Sequence, residues 1–197
     1  FRPMTTIYFV RHGESESNRI TQFAGSLNMP LTDKGRQQAL ALRPFLSQFT
    51  FDRVYSSDLS RAVETAQLVI PGCEPVQTPL LREYEMGTLC GKTHKEGLAM
   101  YGYLNSHYEV AGGESPAQVA ARLRAFLAEV VQQGDERVAV FTHSGVMKTM
   151  MMLVLGMDCA TSNLQSTNCN VAVFRYVQNR WTLSVWNLAG DIESESV

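Results

Sequence analysis

The stretch "YFVRHGESESN", Tyr8 to Asn18, sets an apolar, strand-like run directly against an arginine, a histidine, a glycine and a glutamate. Ending a buried strand on two cationic side chains is costly unless they are paired or have a task, because a desolvated charge needs compensation. Arg and His also close strands as ordinary solvated ends. The rest of the chain has to decide between a plain strand terminus and a site.

At 197 residues the chain fits one domain with a sizeable core, and its 45% apolar content suits a globular fold. That domain is expected to span residues 4–197, with an insertion at about 83–113. Phe1, Arg2 and Pro3 precede a candidate initiator, Met4, and are expected to be a cloning scar. The net charge is −2, with 17 basic against 19 acidic residues and no block of like charge. This gives no footprint for nucleic acid or an anionic membrane, so any positive field must be local.

Cys73, Cys90, Cys159 and Cys169 form no CxxC pair and are expected to be free thiols in a reducing compartment, not a disulfide or zinc framework. The longest apolar run, Met150 to Met157, is far short of the ~20 residues of a membrane span, and the N-terminus lacks the apolar core of a signal peptide. A cytoplasmic location is expected. The sequence leaves a homo-oligomer open.

Strand and helix signals alternate along most of the chain, which predicts an α/β fold with a largely parallel sheet. Thr6 to Val10 reads as the first strand, and Thr32 as the cap of an amphipathic helix carrying Ala39, Leu42, Leu46 and Phe49. Pro44 should kink or shorten that helix, since it has no N–H to donate. Arg53 to Ser56 reads as a second strand, with Ser57-Asp58 capping a helix through Ala62, Ala66 and Val69 that stops at Pro71-Gly72. A third short strand is expected at Pro75 to Thr78.

Glu83 to Gly113 is rich in Gly, Tyr and His with weak periodicity, and reads as part helix and part loop over the sheet. Ser115-Pro116 is a strong helix start before the stripe Val119, Leu123, Phe126, Leu127 and Val130. Arg137 to Thr142 is a buried strand, followed by His143-Ser144-Gly145 and a helix from Val146 to Leu155. The methionines of that helix read as core fillers. Val171 to Tyr176 and Trp181 to Trp186 read as a terminal hairpin, and Asp191 to Val197 as a polar tail.

In an open α/β sheet, ligands collect at the carboxyl ends of strands. Three such ends carry marked polar residues: Arg11 and His12; Ser56-Ser57-Asp58 with Arg61 one turn on; and His143 with Ser144. Taken singly, His143 reads as a structural histidine and Arg61 as a helix surface charge. Taken together they have no simple packing explanation. Two arginines, two imidazoles and two helix N-termini facing one crevice would form an anion site suited to a phosphoryl group, since a guanidinium fork can donate two parallel hydrogen bonds to phosphate oxygens.

These residues resemble those of the histidine phosphatase superfamily, in its phosphoglycerate mutase-like branch, and the likeness runs from Thr5 to about Asn187. Arg11-His12-Gly13-Glu14 with Asn18 match the first motif, Pro30-Leu31-Thr32 with Gly35 and Ala39 the next, and Ser56 to Ala62 with Thr65-Ala66 the third. Leu81, Glu83, Gly87 and Gly91 match a fourth, Gly112 to Ser115 a fifth, and Thr142-His143-Ser144-Gly145 the last.

The resemblance implies a three-layer α/β/α fold of the phosphoglycerate mutase type and a catalytic set of His12, Arg11, Arg61, Glu83 and His143. In it, His12 is the nucleophile, Arg11, Arg61 and His143 clamp the phosphoryl group, Asn18 adds a hydrogen bond and Glu83 is the proton donor. Ser144 joins the phosphate-binding group from its place at the strand end. Fixed arginines can supply the charge neutralisation that phosphoryl transfer needs, so no metal or other cofactor is expected. His12 would need an unprotonated attacking nitrogen and a partner fixing the other one. Glu85, two residues from Glu83 in an extended segment, could share its face, although a solvated side chain is the favoured reading.

Three positions depart from the family pattern. Leu89 and Cys90 stand where a Trp-Glu pair is common, and Ala24 replaces a frequent glutamine before Gly25. They bear on the substrate, not on the core chemistry. "GTLCGKT", Gly87 to Thr93, is one residue short of a P-loop and is set aside. Phosphoglycerate mutases of the family carry extra basic residues in a longer insertion, whereas here Lys92 and Lys95 stand among Tyr101, Tyr103, Tyr108, His94 and His107. The expectation is a phosphatase for small phosphorylated metabolites with an aromatic-lined pocket. The alternatives are a phosphoglycerate mutase and a non-hydrolytic phosphoryl-binding module.

Overall fold

A computed structural model describes residues 4–104, 106–157 and 164–188. Six strands form one sheet in the order β3-β2-β4-β1-β5-β6. They are β1 (Thr5–Arg11), β2 (Arg53–Ser57), β3 (Val76–Thr78), β4 (Arg137–Thr142), β5 (Val171–Val177) and β6 (Arg180–Leu188). The first four are parallel, and the β5–β6 hairpin adds two antiparallel strands beside β1. Gln178 and Asn179, both at positive φ, make its two-residue turn, the backbone that suits the twist of a hairpin.

Side chains alternate across β1, and this sets the layers. Ile7 and Phe9 pack into one core with Leu123 and Phe126 of α5 (Pro116–Gln133) and Met147 and Met150 of α6 (Ser144–Leu155). Tyr8 and Val10 pack into the other with Ala39, Leu42 and Leu46 of α2 (Asp33–Leu46) and Ala66 and Val69 of α3 (Ser60–Val69). The result is the three-layer α/β/α arrangement, with one further short helix, α1 (Glu16–Arg19), between β1 and α2. Fully buried side chains such as Phe9 each stabilise it by about 1.5–3 kcal/mol. The methionines Met147, Met150 and Met151 are core packing, as the helical pattern implies.

Three local expectations are corrected. Pro44 does not shorten α2, which runs on to Leu46; the proline lies in the last turn, where its missing N–H removes a single helical bond. Phe49 lies beyond the helix and packs, tilted, against Tyr8 at 5.1 Å between ring centres instead. Ser57-Asp58 does not cap the next helix, which starts at Ser60 with Leu59 in the cap position. Ser57 stays in the sheet, while Asp58 accepts two hydrogen bonds from Arg82, both 2.7 Å. Between β3 and α5, a short helix, α4 (His94–Tyr101), and two single turns at Gly87–Leu89 and Tyr108–Ala111 cover the carboxyl edge of the sheet. The polar tail, Cys159 and residues 1–3 lie outside the described residues.

Candidate active site

Register brings the strand ends together. Arg11 pairs with Thr142 across β1–β4, and Ser56 with Phe141 across β2–β4, so His12, His143 and Ser57 emerge side by side. The His12 and His143 rings are 5.1 Å apart between centroids. The six predicted pocket residues Arg11, His12, Asn18, Arg61, Glu83 and Ser144 line one cavity of about 540 Å³. His143 is fully buried, with its ring edge-on beside that of His12.

His12 is fixed by its neighbours. Its Nδ1 lies 2.6 Å from the Gly13 carbonyl. A carbonyl only accepts, so Nδ1 carries the hydrogen and the Nε2 lone pair is the reactive one. Burial, and then the positive charges of Arg61 and Arg11, push the imidazole well below the ordinary histidine value. It is therefore neutral near pH 7. Gly13 is required beside it, because a Cβ there would stand 2.3 Å from the carbonyl oxygen of Gly35 at the start of α2. The Gly13 N–H donates to Thr65 Oγ1 at 3.1 Å, tying the turn to α3.

Arg61, 1% exposed, is the largest fully buried side chain. It donates to the carbonyls of Leu27 at 2.7 Å and Gly25 at 2.9 Å. Burial pushes it down to about 10, so it remains charged at neutral pH. Arg11 is braced by the Ser166 carbonyl. His143 pairs through Nε2 with Ser57 Oγ at 2.9 Å, while its buried Nδ1 has no partner among the described residues. Burial and Arg61 also hold His143 well below the ordinary value. A buried polar atom without a protein partner, beside the nucleophile, suits a ligand oxygen.

The Glu83 carboxylate accepts from the backbone N–H groups of Tyr84 at 3.0 Å and Gly145 at 3.1 Å, the latter in the first turn of α6. Gly145 makes that approach possible, since a Cβ there would meet Glu83 Oε1 at 2.2 Å. Arg122 braces the segment: it pairs with Glu114 and donates to the carbonyls of Leu80 and Glu83. Glu114 in turn accepts from the Glu85 N–H at 2.9 Å. Glu85 itself is exposed and accepts from Ser26 Oγ, away from the cavity. Its solvated reading holds, and Glu83 is the carboxylate at the site.

Asn18 Oδ1 accepts from the Ser15 N–H and hydroxyl and from Asn168, which leaves its amide nitrogen to donate toward the cavity. Ala24 and Leu89 also line the cavity, and Cys90 Sγ donates to the Ala24 carbonyl. Of the insertion's residues named from sequence, His94, Tyr103 and Tyr108 line it, whereas Tyr101, His107, Lys92 and Lys95 do not. Sequence reasoning missed Lys148, Phe23 and Leu98 in the lining, and Arg122 behind it. Lys148 follows Ser144 by four residues on one helix face, a usable signal. No group of three or more His, Cys, Asp or Glu residues is placed to hold a metal among the described residues. No described helix is long and apolar enough to cross a membrane.

A neutral histidine ringed by arginines at the carboxyl edge of a three-layer α/β/α sheet defines a protein of the phosphatase or phosphomutase class. The chain belongs to the histidine phosphatase superfamily (branch 1), whose model matches residues 7–189. It is 30% identical over 203 residues to "Probable phosphoglycerate mutase GpmB" of Salmonella choleraesuis, covering 96% of this chain and 94% of that one. Among solved structures, a mycobacterial glucosyl-3-phosphoglycerate phosphatase in complex with VO3 superposes with a TM-score of 0.82 at 27% identity, covering 94% of this chain and 100% of that one. A second, titled "Mycobacterial hydrolase 1", gives 0.84 at 27% identity over 94% of this chain and 99% of that one.

Proposed function

We propose that this protein is a metal-independent phosphatase that hydrolyses small phosphorylated metabolites through a phosphohistidine at His12. The observation that carries the reading is the His12 ring itself, neutral, held in one tautomer by Gly13 and subject to the charges of buried Arg61 and half-buried Arg11. Nε2 attacks phosphorus as the bond to the alcohol oxygen breaks, and protonated Glu83 gives its proton to that oxygen. Water then attacks the phosphohistidine, Glu83 takes back a proton, and inorganic phosphate leaves with His12 neutral again. Arg11, Arg61, the Asn18 amide, Ser144 and the unpartnered Nδ1–H of His143 hold the equatorial oxygens where charge is concentrated.

Hydrolysis is favoured over mutase chemistry by the cover of the pocket, where Lys92 and Lys95 do not line the cavity. The printed name of the GpmB relative keeps the mutase as the second reading. The non-hydrolytic binding module is the third, and the complete residue set weighs against it. A broad panel of phosphometabolites tests the choice: release of inorganic phosphate, inhibited by orthovanadate, is expected. Interconversion of phosphoglycerates without phosphate release would overturn it.

A further inference from the structure

Within the phosphatase reading, on which this step rests, we infer that the pocket selects phosphomonoesters whose leaving alcohol carries a flat, largely apolar ring. Two observations support this.

The first observation is the path of the leaving group. Glu83, which protonates the departing oxygen, is followed at once by Tyr84, and an aromatic run leads outward from there. Tyr84 lies 5.5 Å from Tyr108, Tyr108 6.2 Å from Phe23, and Phe23 4.6 Å from His94, ring centre to ring centre. Burial holds His94 below the ordinary histidine value, so the run is uncharged near pH 7. Tilted and edge-on rings at these separations favour another ring inserted beside them.

The second is size. About 540 Å³ falls within the ~300–1,000 Å³ of cavities that hold drug-sized ligands. A three-carbon acid phosphate would leave most of it to water, against a wall that includes Phe23, Leu89, Leu98 and Tyr108. Leu98 is 59% exposed at the mouth, which marks where a larger leaving group meets solvent.

The test compares kcat/KM for benzyl phosphate, ethyl phosphate and 3-phosphoglycerate, all alkyl esters so that leaving-group acidity differs little. Benzyl phosphate is expected to exceed both others by at least about tenfold. Phe23→Leu should shrink the benzyl-to-ethyl ratio. Hydrolysis of ethyl phosphate or 3-phosphoglycerate as fast as benzyl phosphate overturns the inference while the phosphatase stands. Phosphate release from none of the three, with phosphoglycerates interconverted, overturns both.

Discussion

The floor of the pocket and its cover are held in different ways. On the floor, Arg61 and His143 are buried, and Ser57, Thr65 and the Gly13 and Gly25 backbone groups hold the reacting segment through hydrogen bonds. The cover is a patchwork of one short helix, two single turns and loops over residues 87–111, with Leu98 and Tyr103 59% and 73% exposed. Its contacts to the cavity are chiefly rings and methyls. A rigid charged floor fixes what reaction occurs, and a loosely attached apolar cover tunes which ester enters. Each can change with little effect on the other.

The largest expected effect breaks the floor. His12→Ala should lower kcat by at least about 10⁴-fold with the fold intact, measured as phosphate release and circular dichroism. Activity within tenfold of the parent would move the chemistry elsewhere. Glu83→Gln comes next and sharpens the division: turnover of alkyl phosphates should fall about 10²-fold, while p-nitrophenyl phosphate, whose leaving group needs no proton, should change only a few-fold. Equal losses for both would remove the acid role.

A third effect is on stability. The depressed values of His12 and His143 mean that, below the ordinary ~6.5, the unfolded chain binds protons that the folded chain refuses. The free energy of unfolding should therefore fall as pH drops below that point, by up to about 1.4 kcal/mol per pH unit for each histidine, and be fully present above it. Urea titrations at pH 5 and 7.5 check this, and His143→Asn should reduce the slope. A pH-independent midpoint would contradict the burial of neutral imidazoles. The smallest effect belongs to the cover: Tyr103→Ser should alter stability by no more than about 0.5 kcal/mol and change KM more than kcat.

The floor was readable in the sequence because its residues sit at the ends of three strands, where local pattern and chemistry coincide. Arg11, His12 and Ser144 lie within two residues of an apolar run, and the helix starts at Thr32 and Ser115 carry their own capping side chains. What escaped depends on partners distant along the chain. Asp58 reads as a cap until Arg82, 24 residues on, takes both its oxygens. Ser57 meets His143 across 86 positions, and Arg122 reaches the Glu83 segment from α5. The cover showed only as an aromatic composition. Which of its rings turn inward is set by tertiary packing, as the split between Tyr108 and Tyr101 shows.

The central claim is that the neutral Nε2 of His12 takes the phosphoryl group. Rapid quenching during turnover, followed by peptide mapping and ³¹P NMR, measures this directly. The expected result is an acid-labile, base-stable phosphate on His12 at Nε2, absent from His12→Ala. Phosphate on Nδ1 or on another residue, or turnover with no labelled protein at any time point, would contradict the account.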